Sequence, residues 1–89
     1  MDYQEIIKLV EKELDLAKLK YPKWPSDPIH AIAIAWEEKG ELIQASIDHL
    51  YPYGNHKEND TLERMTKEAL QMICMGIRFL ENIESYNHG

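Results

Sequence analysis

Residues His30 to Leu50, HAIAIAWEEKGELIQASIDHL, carry apolar side chains at two sets of helical positions. At about 100° per residue, Ile29, Ile32, Trp36, Ile43, Ile47 and Leu50 fall on one arc, and Ala31, Ala35, Leu42 and Ala45 fall on a second. The pattern predicts one long helix, apolar on two sides and therefore packed between neighbours. Between the arcs runs a polar stripe of Glu37, Glu41, Gln44 and Asp48, with Glu38 at its edge and Ile34 beside it. Carboxylates flanked by apolar surface have to be paired, protonated or bound to a cation.

Two further helices flank this one. Asp2 is suited to cap the first, with Glu5 in the capping-box position, and a stripe of Tyr3, Ile6, Ile7, Val10, Leu14 and Ala17 carries it to about Lys20. Its other face, Lys8, Glu11, Lys12, Asp15 and Lys18, mixes both signs and reads as solvated. Pro22, Pro25 and Pro28 make residues 21–27 a stiff connector, after which Asp27 caps the second helix with Pro28 at its first position. Trp24 in the connector either stacks on a ligand base or plugs the end of the bundle, and the usual role of aromatic residues as buried apolar mass favours the plug.

The second helix ends near Tyr51, where Pro52 and Gly54 open the loop YPYGNHKEND. His56 and Lys57 in that loop have the chemistry to reach a phosphate, though isolated polar loop residues are more often simply solvated. Asn59 or Asp60 caps the third helix, which runs to about Ser85. Its apolar arc of Leu62, Met65, Ala69, Met72, Ile73, Gly76, Leu80 and Ile83, widened by Leu70, Ile77 and Phe79, is too broad for one partner helix. Gly76 within the arc suggests either a close helix approach or a merely tolerated glycine. Along the border follow Arg64, Glu68, Gln71, Met75 and Arg78; the four-residue spacing makes Glu68 the surface partner of Arg64, and the alternative turns Glu68 toward the acids of the second helix.

The pattern therefore predicts an all-α protein: a helical bundle of three main helices in a single domain over residues 1–89. At 89 residues a lone chain buries a modest core, so oligomerisation is expected to complete the bundle. A net charge of −6, from ten basic against sixteen acidic residues, offers no cationic patch for a nucleic-acid backbone. No apolar run reaches membrane-spanning length, and Cys74, the single cysteine, has no partner for an internal disulfide; the expected setting is the cytoplasm, without a membrane or nucleic-acid partner. His30, His49, His56 and His88 are too scattered for a zinc set, and the sequence has no glycine-rich phosphate loop.

The chemistry is thus left to the acids. Glu38 and Glu41, three apart, supply two carboxylates one turn apart, hard oxygen ligands of the kind Mg²⁺ or Mn²⁺ takes. The spacing alone is common on solvated helices, and its weight comes from the apolar positions around it.

With these residues in view, AIAIAWEEKGELIQASID resembles the acidic helix of the MazG-like all-α nucleoside triphosphate pyrophosphatases, through E-x-x-E in an EExGEL-like context. That family pairs the motif with E-x-x-D on the following long helix, where this chain has Glu68-Ala69-Leu70-Gln71. The resemblance extends from about Ile32 to Leu80. It implies a bundle in which carboxylates from two helices hold Mg²⁺, and in which a metal-activated water splits a nucleoside triphosphate into the monophosphate and pyrophosphate. On that reading Glu38, Glu41 and Glu68 are catalytic and metal-ligating residues. Gln71 completes the ligand set with a neutral amide oxygen where the family pattern has an acid, and Asp48, two turns beyond Glu41, is a candidate substitute. The resemblance also implies a homo-oligomer, dimer or tetramer, with a nucleotide substrate. The departure at Gln71 supports an alternative: a catalytically degenerate relative that only binds a nucleotide or a protein partner. A plain helical interaction module, with the acid stripe as a solvated face, is the third reading.

Overall fold

The computed structural model of the chain describes residues 1–51 and 58–87. Three α-helices follow one another: α1 over Tyr3–Lys20, α2 over Pro28–Leu50 and α3 over Glu58–Glu81, with a short 3-10 turn at Ile83–Tyr86. The expected all-α class is correct, and no strand occurs among the described residues. No helix among them is long and apolar enough to cross a membrane.

Local chemistry sets the first two helix starts. The Asp2 carboxylate accepts a hydrogen bond from the Glu5 backbone N–H at 2.9 Å, and the Asp27 carboxylate accepts one from the Ile29 N–H at 3.0 Å with Pro28 in the first turn. The third start differs from expectation. The helix begins at Glu58, so Asn59 and Asp60 lie inside its first turn instead of capping it. Its end differs too: the α-helix stops at Glu81, because the Asn82 amide donates to the Arg78 carbonyl at 2.8 Å and the chain tightens into the 3-10 turn. Pro52, Gly54, His56, Lys57 and His88 lie outside the described residues.

α3 is the central element. α2 packs antiparallel to it, so that His49 meets Thr61 while Asp48 meets Arg64 one turn further along α3. α1 packs on another side of α3 and runs parallel to it, with Val10 against Cys74 near its middle and Lys18 paired to Glu81 at 2.9 Å near its end. Two helices thus cover only part of the broad apolar arc predicted for α3, and Leu62, Ile73, Leu80 and Ile83 of that arc stay exposed. The core is small: Val10, Leu70 and Cys74 are buried together, with Ile6, Leu9, Leu14, Met75 and Ile77 packed around them. Tyr3, placed by pattern on the buried stripe of α1, is exposed.

α2 departs from its predicted two-sided burial. Ala31 and Ala45 are 0% exposed against α3, because small side chains let the two helices approach. The larger arc stays outside: Ile29 is 78% exposed and Trp36 66%, and Ile32, Ile43, Ile47 and Leu50 are exposed with them. Of the two readings of Gly76 the tolerated glycine holds, since a Cβ built there would meet nothing within 4 Å, so no helix approaches it closely. The radius of gyration is 15.0 Å, against about 12 Å for a compact domain of this length. The accessible surface is 6955 Å², against roughly 5,400 Å² for a compact monomer of this mass.

Candidate metal centre

The antiparallel register of α2 and α3 brings Glu38 and Glu41, one turn apart on α2, against Glu68 of α3. One carboxylate oxygen from each of the three lies within 4.8 Å of the others. Glu41 is exposed, while Glu38 and Glu68 are half-buried in the seam between the helices. Glu38 Oε2 and Glu68 Oε2 are both sealed from solvent, and neither accepts a hydrogen bond.

Ionised carboxylates only accept hydrogen bonds, so three of them in one place repel unless a proton or a cation lies between them. Burial first, and then the charges of Glu41 and Glu68, push the Glu38 carboxyl from an ordinary 4.5 up to about 7. Glu68 is raised as well, by burial first and then by Glu41. The arrangement holds a proton on Glu38 nearer neutrality than an isolated carboxylic acid would.

The donor set suits a small hard cation. Ligand oxygens around Mg²⁺ at about 2.1 Å lie roughly 3 to 4 Å apart, and the three carboxylate oxygens here lie within 4.8 Å of one another. Two orphaned, solvent-sealed oxygens are what such an ion would satisfy. Gln71, one turn beyond Glu68, lines the same cavity as Glu38 and Glu41, where its amide can add one neutral oxygen.

Other polar positions resolve differently. Arg64 pairs with Asp48 at 2.8 Å and not with Glu68, which corrects the pairing drawn from helix spacing. Asp48 also accepts from the Gln44 amide at 3.0 Å, so it is engaged by Gln44 and Arg64 and stands apart from the three-carboxylate group. Its suggested role as a substitute ligand is thereby removed. A solvated acid stripe describes Glu37 and Gln44, which are exposed, but not Glu38 and Glu68.

A cavity of about 880 Å³ opens between α1, the connector and the facing sides of α2 and α3. Glu37, Glu38, Glu41 and Gln71 form its acidic wall, and Glu68 stands behind them, outside the lining. The lining also includes Glu13 of α1 and Lys20, Lys23, Trp24 and Arg78, the last four a cationic and aromatic group that sequence reasoning did not connect with the acids. Arg78 does lie two turns beyond Gln71 on one face of α3, a spacing that was legible. The position of the connector was not.

Trp24 closes the end of the bundle, as its plug reading expects. Its indole N–H donates to the Tyr86 hydroxyl at 2.7 Å, that hydroxyl donates to the Pro25 carbonyl at 3.3 Å, and the Arg78 guanidinium lies 4.9 Å from the centre of the indole. Tyr86 in turn stacks on Phe79 with ring centres 5.4 Å apart. Cys74 has no place in this chemistry: it is buried, its thiol is 3.6 Å from the Val10 carbonyl, and burial raises its pKa.

No known family model matches the sequence, and no curated protein or solved structure is significantly similar to it.

Proposed function

We propose that the chain is a Mg²⁺-dependent nucleotide pyrophosphohydrolase of the MazG-like type, cleaving a nucleoside triphosphate to the monophosphate and pyrophosphate, with Mn²⁺ as a workable substitute. The observation that carries this reading is the convergence of Glu38, Glu41 and Glu68 from two helices, with two sealed and unbonded oxygens, at a cavity of about 880 Å³. That volume falls within the usual range for small-molecule sites. A divalent cation bound there neutralises a triphosphate and eases deprotonation of water.

The residues of the chain divide the remaining work. Glu38 and Glu68 are gripped by the helix seam and serve as ligands whose geometry the fold dictates. Glu41, the exposed member, is the third carboxylate ligand; it also accepts a hydrogen bond from the attacking water and takes its proton as the oxygen bonds to the α-phosphorus, and the α–β bridging oxygen leaves with pyrophosphate. Gln71 adds a neutral oxygen, which lowers the negative charge of the set and with it the affinity for the cation.

The working form is a homo-oligomer, dimer or tetramer, in a cytoplasmic setting. The exposed arc of α2 and an accessible surface about 1,500 Å² above that of a compact monomer support self-association, since a standard interface covers about 800 Å² per partner. Gln71 in place of a fourth carboxylate favours one second reading, a cavity that binds a nucleotide without cleaving it.

Pyrophosphate release from a panel of nucleoside triphosphates, with Mg²⁺, Mn²⁺ or chelator, tests the proposal. Cation-dependent release from the parent protein and its loss in Glu41→Gln is the expected result. Cation-dependent stabilisation without release from any nucleotide would leave the binding-only reading in its place.

A further inference from the structure

Arg78 is only 4% exposed, yet no carboxylate among the described residues pairs with it. Its Nη2 donates to the Tyr21 carbonyl at 2.8 Å, and its face lies over Trp24. Neither partner carries a charge. A guanidinium is a fixed cation with five N–H donors in a rigid fork, so a neutral carbonyl and an aromatic face leave its charge unmatched by any protein anion, while no nitrogen of Arg78 is among the buried atoms that lack a partner. Buried cations of this kind are ordinarily matched by an anion.

The surroundings of Arg78 say where that anion sits. Arg78 lines the cavity, and Lys20 and Lys23 line it from the end of α1 and from the connector. Neither lysine has an ion-pair partner among the described residues. Three cationic side chains from three segments therefore line one cavity together with Glu38 and Glu41 of the carboxylate group, in a protein of net charge −6. The four acids of the lining, Glu13, Glu37, Glu38 and Glu41, outnumber these three cations, yet none of them pairs with Arg78, Lys20 or Lys23.

We propose that Arg78, with Lys20 and Lys23, forms an anion subsite that grips the phosphate chain of the ligand by its end away from the carboxylate group. The planar fork of Arg78 matches two phosphate oxygens, and the lysines act as mobile point charges at the rim. Trp24 and the Tyr21 carbonyl hold the guanidinium in one orientation, so little freedom is lost when the anion arrives. This subsite rests on the nucleotide reading of the cavity, but its anion chemistry is separable from the cation chemistry of the carboxylate group.

Inorganic pyrophosphate is the probe, titrated with and without Mg²⁺ and followed by Trp24 fluorescence in a Trp36→Phe background, since Trp36 lies on the exposed face of α2. Saturable binding, weakened at least tenfold in Arg78→Gln and partly retained in Arg78→Lys, is expected, while the Mg²⁺-induced rise in melting temperature stays as in the parent. Should Arg78→Gln fail to fold, Lys20→Ala/Lys23→Ala gives the same reading from exposed positions, with an expected loss of about tenfold and a reduced dependence on salt. Undiminished pyrophosphate binding in the variants that fold, or no saturable binding to the parent in either condition, overturns the subsite. Glu41→Gln separates the two proposals: it removes the Mg²⁺ response if the cation site is real, and Arg78-dependent binding of pyrophosphate alone survives even if that site is not.

Discussion

Neutralising Glu38 should change how stability depends on pH, in a direction fixed by where its proton goes. In the folded, metal-free protein Glu38 holds its proton up to about pH 7, whereas the unfolded chain releases it near 4.5. The folded state thus binds more protons between those values, and its stability falls as pH rises. The contribution is complete below the unfolded value and gone above about pH 7. The interval from 4.5 to about 7, at about 1.4 kcal/mol per pH unit, sets a ceiling of roughly 3 kcal/mol. Glu41 is exposed, and water on its side screens part of the repulsion, so about 1–2 kcal/mol is the expected loss between pH 5 and pH 8.

Urea unfolding followed by far-ultraviolet circular dichroism, in chelator and at fixed protein concentration, measures this at several pH values. Glu38→Gln should flatten the profile and be more stable than the parent at pH 8 by about 1–2 kcal/mol, since an amide carries no charge into the seam. Mg²⁺ added at pH 8 should restore the parent by about 1.4 kcal/mol at ten times its dissociation constant and restore Glu38→Gln much less. A variant whose pH profile runs parallel to that of the parent would refute the reasoning, because Glu38 would then not be the group that holds the proton.

Three other substitutions test neighbouring parts of the structure. Gln71→Asp supplies a fourth carboxylate on the cavity wall, so cation affinity and pyrophosphate release should both rise; a variant destabilised by 1 kcal/mol or more, on the order expected for an uncompensated charge, and not rescued by Mg²⁺ would count against the cation site. Asp48→Asn breaks a partly exposed pair with Arg64 and should cost about 1 kcal/mol or less without altering the Mg²⁺ response, read by melting temperature. Ile43→Lys puts a charge on the exposed arc of α2 and should shift the mass seen by light scattering toward 10.5 kDa; a parent protein already at that mass would remove the self-association reading.

The first two helix starts, the helix periods and the acid stripe were legible in the chain because each is decided within a few residues. Asp2 and Asp27 cap their helices through bonds to backbone no more than three residues away, and Glu38 and Glu41 share a face because of the helical repeat. What lay between helices was not legible. Spacing paired Arg64 with Glu68, but the antiparallel register of α2 on α3 offered Arg64 the nearer Asp48 and turned Glu68 to Glu38 and Glu41. The two apolar arcs of α2 were equivalent by pattern, and close packing chose the alanines, leaving the isoleucines and Trp36 exposed. Arg78 is far in sequence from Lys20 and Lys23, and only the return of the connector over the end of α3 sets the three around one cavity. Local capping and periodicity act through neighbouring residues, whereas charge pairing and cavity shape depend on which helices touch, and that is settled by the packing of the whole chain.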